Sequence, residues 1–312
     1  MAAPPEDASA GPDVGAAAAG GGGVERSVPD AARLDVALTR MLGVSRREAR
    51  QLLEAGAVRV DGRTARDGGR RVPRGACLAC DPAALRPAAS AAGAVRVLQE
   101  TAAALVVEKP AGLPVHPLRP DEADTLLQRL MSTHPEVAGA GDEGPLRGGT
   151  VHRLDTETSG CVVFARDVAA WRRLREAFAQ HRIEKHYTAL VAGSGLAPGW
   201  HTAHLAVVRH RPAAVAVVDA THPDARRCDL EVLSAQAVQT DGRGPVTRLE
   251  IALGTGFLHQ IRVMLAHLGH PVLGDARYGG GGGGRAGDTL HLHAHRLRLP
   301  AMGIDAACDP PW

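Results

Sequence analysis

Apolar positions along the chain change period several times, and each change marks an element. Leu34, Ala37, Leu38 and Met41 recur at the spacing of one helix face, and Gly43 stands where such a helix would stop. Ser45 followed three residues later by Glu48 forms a capping-box pattern, which predicts a second helix running through Leu53 and ending at Gly56. Val58 and Val60 then flank Arg59 ahead of Asp61-Gly62, a short strand entering a tight turn, with Val72 to Leu78 as its expected partner strand.

The second half of the pattern is richer in strands. Leu105–Glu108, Cys161–Ala165, Tyr187–Ala192, His201–Val208, Cys228–Ser234, Val246–Leu253 and Leu290–Leu299 read as strands, and Thr125–Ser132, Val168–His181 and Leu258–Leu268 as helices. Strands outnumber helices and do not alternate with them regularly. The expected class is therefore α+β, a small α/β module followed by a domain with a mixed, mostly antiparallel sheet. Residues 1–27 are Ala, Gly, Pro and acids, too poor in apolar side chains to offset their ordering entropy, and are expected to form a disordered tail. Residues 81–94 carry two prolines and almost no charge and read as a linker between a module at 30–80 and a domain at 95–305. The glycine run at 279–284 reads as a loop inside that domain.

Composition changes the picture in two places. The longest uncharged run, Tyr187–Val208, contains Pro198, two histidines and four glycines or serines, so no membrane span is expected. The N-terminus has acids where a secretion signal needs a basic and then an apolar stretch, and the five cysteines are scattered and odd in number. A cytoplasmic protein without a disulfide scaffold follows, and a monomer is expected because no exposed apolar stripe is evident. The net charge of +2 is unevenly spread: residues 33–80 hold eleven arginines against five acids, whereas residues 1–32 hold one basic and five acidic side chains. Arg46, Arg47 and Arg50 fall on the second helix and Arg59 and Arg63 on the following hairpin, so a compact module would pool them on one side, as a phosphate-backbone binder does. Cys77 and Cys80 have the spacing of half a zinc site, but no second pair follows, and no metal is assigned.

The densest polar cluster is Gly148-Gly149-Thr150-Val151-His152-Arg153-Leu154-Asp155-Thr156-Glu157-Thr158-Ser159-Gly160, which runs directly into the apolar strand from Cys161. Taken alone, such a cluster marks a turn with local hydrogen bonds, His152 a structural histidine and Asp155 an ion-pair partner. His291, His293 and His295 alternate along an expected strand and could face one side as a ligand set, the basis of a rival reading as a metal hydrolase.

Two resemblances decide between these readings. From Arg33 to Gly62 the chain resembles the ribosomal-protein S-four-type RNA-binding domain, with its R-L-D start and S-R-x-x-A-x-x-L-L-x-x-G-x-V-x-V-D-G run. The stretch Val151-His152-Arg153-Leu154-Asp155 with Thr158-Ser159-Gly160 resembles the catalytic motif of the RluA-type pseudouridine synthases. Three further stretches match in order: Val107 to His116, Glu184 to Val191, and Thr255 to Val263 followed by Gly274-Asp275 and Tyr278-Gly279. The likeness spans roughly Val95 to Leu299, with one departure, Phe257 where that family usually carries arginine.

This resemblance implies isomerisation of uridine to pseudouridine within RNA: the bond from the anomeric carbon to ring nitrogen breaks and a bond to ring carbon five forms. No redox change occurs, so no cofactor is expected, and a carboxylate suffices as covalent catalyst. By resemblance that carboxylate is Asp155, Arg262 is its ion-pair partner, and Tyr187 packs on the target uracil, with Ile261 on the ring's other side. A stacked uracil must be flipped out to react. Arg153 is then expected to occupy the vacated stack and His152 to approach the backbone, with Lys185 and Gln260 as further substrate contacts. Lys109 and Lys185 are each read as touching phosphate or supporting the sheet. The expected partner is RNA, large-subunit ribosomal RNA first and tRNA second; a non-catalytic RNA-binding relative is the alternative from another class.

Overall fold

The computed structural model describes residues 23–81, 84, 86–119, 122–144, 146–210, 212–239, 244–280 and 288–312. Two compact units divide at Ala84. Most of the expected tail, part of the expected linker and most of the glycine run near 280 lie outside the described residues.

The first unit contains β1 (Val24–Ser27), β2 (Ala32–Arg33), α1 (Leu34–Leu42), α2 (Arg46–Glu54), β3 (Val58–Val60), β4 (Arg63–Thr64), β5 (Arg71–Val72) and β6 (Cys77–Cys80). Both helices end where the residue chemistry demands. Gly43 takes φ +69 and its N–H bonds the Thr39 carbonyl at 3.0 Å, a left-handed stop that suits glycine. Ser45 and Glu48 form the expected capping box, with the Ser45 hydroxyl accepting from the Glu48 N–H and the Glu48 carboxylate from the Ser45 N–H at 2.8 Å. Leu34, Leu38, Leu52 and Leu53 bury their faces between the helices and the sheet.

Two expectations need correction here. Val24–Ser27, assigned to the tail, is a strand paired with β6, because the 77–80 segment has an open edge that β1 satisfies. The partner of β3 is Cys77–Cys80, in register Val58 to Cys80 and Val60 to Leu78; Val72 pairs instead with Ala32 in a separate two-stranded ribbon, since Pro73 and Gly75 interrupt the run.

The second unit contains β7 (Arg96–Glu100), β8 (Ala104–Lys109), α3 (Leu126–Leu130), β9 (Ser159–Ala165), α4 (Val168–Ala179), β10 (Glu184–Ala192), β11 (Gly199–His210), β12 (Ala213–Val217), β13 (Arg226–Val238), β14 (Val246–Leu253), α5 (Gln260–His267), β15 (Leu292–Leu299) and β16 (Ile304–Ala307). Among the described residues they form a ten-stranded sheet in the order β12-β11-β13-β14-β10-β15-β9-β8-β7, with β16 on β15. Only β9 and β15 pair in parallel, through Ser159 and His293 and through Gly160 and Ala294. The class is the α+β arrangement expected, with a mixed and mostly antiparallel sheet.

Helices cover this sheet where its strands are apolar on both faces. All seven residues of β9 are buried: Trp171 and Leu174 of α4 pack over Cys161 and Val163, and Leu126, Leu127 and Leu130 of α3 pack over Val162 and Phe164. On the other half, Ile261, Met264 and Leu265 of α5 cover Tyr187, Ala189, Leu249 and Ile251. The β9–β15 junction is tight. Gly160 has φ +120, and a Cβ there would collide with the backbone of Ala294, so a glycine is required five residues after Asp155.

Candidate functional site

The site grows from the segment entering β9. Lys109, fully buried at the end of β8, donates to the carbonyls of Pro110 at 2.9 Å, Leu113 at 2.7 Å and Thr156 at 2.8 Å. The Gly112 N–H also reaches the Thr156 carbonyl, at 2.8 Å, and the Thr158 N–H closes a turn on the Asp155 carbonyl at 3.1 Å. Through these bonds the buried amine ties the 110–113 segment to the 155–158 turn, a supporting role. Burial pulls its pKa down to about 7, against the opposing charges of Glu157 and Asp155.

Arg262, on the first turn of α5, meets that turn from across the sheet. Its Nη1 donates to Asp155 Oδ2 at 2.9 Å, while Nε and Nη2 donate to the two oxygens of Asp275 at 2.7 and 2.9 Å. Exposure grades this triad: the side chains of Asp275, Arg262 and Asp155 are 0, 6 and 19% exposed, so only Asp155 presents itself outward. Burial of Arg262 lowers its pKa, yet the Asp275 and Asp155 carboxylates more than reverse that and hold it charged. Asp275 is pushed up by burial and pulled further down by Arg262, and it also accepts the N–H groups of Arg277 and Tyr278 at 2.9 and 3.0 Å. Glu157, largely exposed, stands 3.9 Å from Nη1.

Tyr187 and Ile261 are buried in the same apolar cluster, with Leu154 packed against it. Burial first, and then the charge of Asp155, raise the Tyr187 phenol above the ordinary tyrosine range. Asp155, Tyr187 and the adjacent pair Ile261 and Arg262, drawn from three separate stretches of sequence, therefore share one neighbourhood. Arg153 is exposed beside them.

The other expected substrate contacts are placed differently. The His152 ring stacks on Phe178 with centroids 4.6 Å apart, and Nε2 accepts the Val163 N–H at 3.0 Å. Burial holds that imidazole neutral, with a pKa of about 3, so His152 braces α4 against β9 rather than reaching for a backbone phosphate. Gln260 is likewise committed: its Oε1 accepts from Thr255 Oγ1 at 2.8 Å and the Phe257 N–H at 3.0 Å, and its Nε2 donates to the Asp229 carbonyl at 3.0 Å. It shapes the loop in front of α5, with its oxygen and its nitrogen both engaged within the protein. Phe257 packs half-buried on the apolar cluster beneath that loop. Lys185 donates to the Thr255 carbonyl at 3.2 Å, and burial lowers its pKa to about 8. In the first unit, Arg46, Arg47, Arg50, Arg59 and Arg63 are all exposed.

The three alternating histidines do not converge on a ligand. His293 bonds Ser159 Oγ at 2.8 Å and the Cys308 carbonyl at 3.0 Å, His295 Nδ1 bonds the same carbonyl at 2.8 Å, and His291 lies against Trp312. Three residues of the site carried no expectation. Asp275 holds Arg262, Tyr278 lies under the Arg262 guanidinium at 5.4 Å, and His259 bonds the Tyr278 hydroxyl through Nδ1 at 2.7 Å with Nε2 3.9 Å from Asp155 Oδ1. The available signal was the pair of runs Gly274-Asp275 with Tyr278 and His259-Gln260-Ile261-Arg262, each setting polar side chains beside apolar ones.

Comparison with known proteins agrees with this geometry. The family described as RNA pseudouridylate synthase matches residues 103–267, and the S4 domain matches residues 32–76. The ribosomal large subunit pseudouridine synthase D of Xanthomonas campestris is 34% identical over 272 residues, covering 81% of this chain and 74% of that protein. Its namesake from Xylella fastidiosa is 33% identical over 210 residues, which is 67% of this chain but only 55% of the relative's length. Among solved structures, human RNA pseudouridylate synthase domain containing 1 superposes with a TM-score of 0.54 at 26% identity, over 70% of this chain and 84% of that one. The chain belongs to the RNA pseudouridylate synthase family.

Proposed function

We propose that this protein isomerises uridine to pseudouridine within RNA, with Asp155 as the carboxylate that acts at the anomeric carbon of the target nucleotide. One observation carries the reading: Arg262, immobilised by the fully buried Asp275, presents its remaining Nη1–H to Asp155 Oδ2 and leaves the partly exposed carboxylate with an open oxygen. A fixed carboxylate of this kind can serve as nucleophile or assist departure of the base without metal or redox chemistry. Tyr187 and Ile261 supply an apolar wall against which a flipped uracil can rest. Arg153, exposed and two residues before Asp155, is the side chain we assign to the gap left in the RNA stack.

The substrate is large-subunit ribosomal RNA on this reading, supported by the activity for which the Xanthomonas and Xylella relatives are named. The exposed arginines of the first unit would hold the phosphate backbone. All five cysteines are free thiols, which fits a reducing cytoplasm, and among the described residues no helix is long and apolar enough to cross a membrane. We take the working unit to be a monomer.

The test is release of label from carbon five. Forming the new bond expels the C5 hydrogen, so transcripts of large-subunit rRNA and of tRNA made with C5-tritiated uridine should release tritium to water with the full-length protein and not with Asp155→Ala. Release from rRNA alone supports the target named above, and release from tRNA alone replaces it. Equal inertness of both proteins on every RNA would leave an RNA-binding module without chemistry.

A further inference from the structure

The two oxygens of Asp155 are not equivalent. Oδ2 takes the Arg262 Nη1–H at 2.9 Å, whereas Oδ1 has His259 Nε2 3.9 Å away. Closing that gap by about 1 Å would make a hydrogen bond. His259 is also held unusually. It precedes α5 with φ +52, a left-handed conformation uncommon for a residue with a side chain, and its carbonyl still accepts the Val263 N–H that starts the helix, at 3.0 Å. Its other nitrogen, Nδ1, lies 2.7 Å from the Tyr278 hydroxyl.

That hydroxyl can donate to Nδ1. The Tyr278 oxygen already accepts the Val215 N–H of β12 at 3.1 Å, so its own proton is free to go to His259 Nδ1. With the hydroxyl as donor, Nδ1 is the acceptor and the ring proton sits on Nε2, facing the carboxylate. The chain from Val215 through Tyr278 and His259 thereby ends on the one oxygen that Arg262 leaves open. Arg277 ties the same edge strand to the site by donating to the Ala213 carbonyl.

We propose that His259, aligned by Tyr278, is a positioning residue for Asp155, its Nε2–H orienting the second carboxylate oxygen as the ribose approaches. The proposal rests on the reading of Asp155 as the reacting carboxylate. The groups facing the imidazole are Asp155, Arg262, Arg277, Asp275 and Tyr278. Burial lowers its pKa, Asp155 and Asp275 oppose that, and Arg262 and Arg277 add to it, so the ring is neutral at neutral pH and keeps a single N–H for this task.

Two measurements on the full-length protein decide the matter. Nitrogen-15 NMR of labelled histidine reads the tautomer without requiring turnover. His259 should carry its proton on Nε2, Tyr278→Phe should raise its titration midpoint by removing the donor to Nδ1, and Asp155→Asn should lower it by removing the facing anion. A proton on Nδ1, or a midpoint indifferent to both substitutions, overturns the proposal even if no RNA substrate is turned over. In the tritium assay, His259→Leu should lower kcat about 100-fold with KM changed less than threefold, since loss of one preorganised donor typically costs that much. His259→Gln, which keeps an N–H at similar reach, should stay within about tenfold of the wild type, and Tyr278→Phe should move the acidic limb of the kcat profile to higher pH. Wild-type kcat in His259→Leu, or lower amplitude with an unmoved limb in Tyr278→Phe, assigns the pair to the fold alone. Inertness of the wild type on all RNA, by contrast, would count against the proposed reaction and leaves the NMR result to judge His259.

Discussion

Replacing Asp275 by asparagine is the sharpest perturbation the structure offers, because it acts on Asp155 without touching substrate. Asp275 is wholly buried and accepts two guanidinium bonds from Arg262, at 2.7 and 2.9 Å, besides the two backbone N–H groups of Arg277 and Tyr278. An amide keeps one oxygen acceptor, but its NH2 must face a guanidinium N–H, donor against donor, and the charge of the nearly buried Arg262 is left with Asp155 at 2.9 Å and the exposed Glu157 at 3.9 Å. Breaking one side of a buried pair costs about 3–5 kcal/mol. At roughly 2–4 °C per kcal/mol for a unit of this size, Tm should fall by about 6–20 °C. Trp171, Trp200 and Trp312 all lie in the second unit, so tryptophan fluorescence follows its unfolding without signal from the first.

The pH dependence of this loss has a defined sign. The folded-state pKa of Asp275 is depressed below its unfolded value, so the stabilisation is complete above the ordinary carboxylate range and is lost only as pH falls through the folded pKa. The gap in Tm between wild type and Asp275→Asn should therefore be flat from about pH 5 to 8 and narrow progressively below about pH 4. Turnover should suffer as well: once its bidentate hold is gone, Arg262 no longer aims Nη1, and a displacement of about 1 Å can cost 100-fold in kcat. A variant melting within about 2 °C of the wild type would refute the energetics. A variant that melts early yet turns over normally at low temperature would show that Asp275 serves the fold and does not organise Asp155.

Other substitutions test separate links. Gly160→Ala places a Cβ against the Ala294 backbone at φ +120, and should cost on the order of 3 kcal/mol or prevent soluble expression, read by the same fluorescence melt. Changing Arg46, Arg47 and Arg50 together to alanine should weaken RNA binding and reduce the slope of log K against log salt by about 2–3, without lowering kcat at saturating RNA; an unchanged slope would remove these arginines from the RNA interface. Because burial and Asp155 raise the Tyr187 phenol, its tyrosinate absorbance, isolated as the difference from Tyr187→Phe, should be absent up to about pH 10, and ionisation below that would contradict the buried setting.

How much of this was legible in the residues depends on the distance over which each signal acts. Local chemistry was readable. The Ser45–Glu48 capping box, the Gly43 stop and the strand from Val246 to Leu253 follow from spacings of a few residues, and the structure reproduces them. Strand partners are set over longer range. Val72 carries a strand-like side chain, but Pro73 and Gly75 interrupt the run, leaving β3 to pair with Cys77–Cys80. The edge strands β7, β12 and β16 escaped the pattern for a related reason: each is short, and its place is fixed by a neighbour's free hydrogen-bonding edge more than by its own alternation.

The site divides along the same line. Asp155, Tyr187 and Arg262 could be named from motifs, yet no motif spacing says that Asp155 and Arg262, 107 residues apart, meet at 2.9 Å. His152 and Gln260 have side chains able to bind RNA and lie in the right runs, but Val163, Phe178 and Asp229 from outside those runs, and Thr255 from within, engage their polar atoms and rings. Asp275 and His259 show the converse. Neither was assigned a role from its spacing, and each meets its charged neighbours only when the fold removes water from around it: Arg262 for Asp275, and Asp155 and Arg262 among those facing His259. What the chain supplies in the one-dimensional text is therefore an inventory of competent groups. The ten-stranded sheet selects among them by satisfying some internally and leaving Asp155, alone in its triad, with an oxygen to spare.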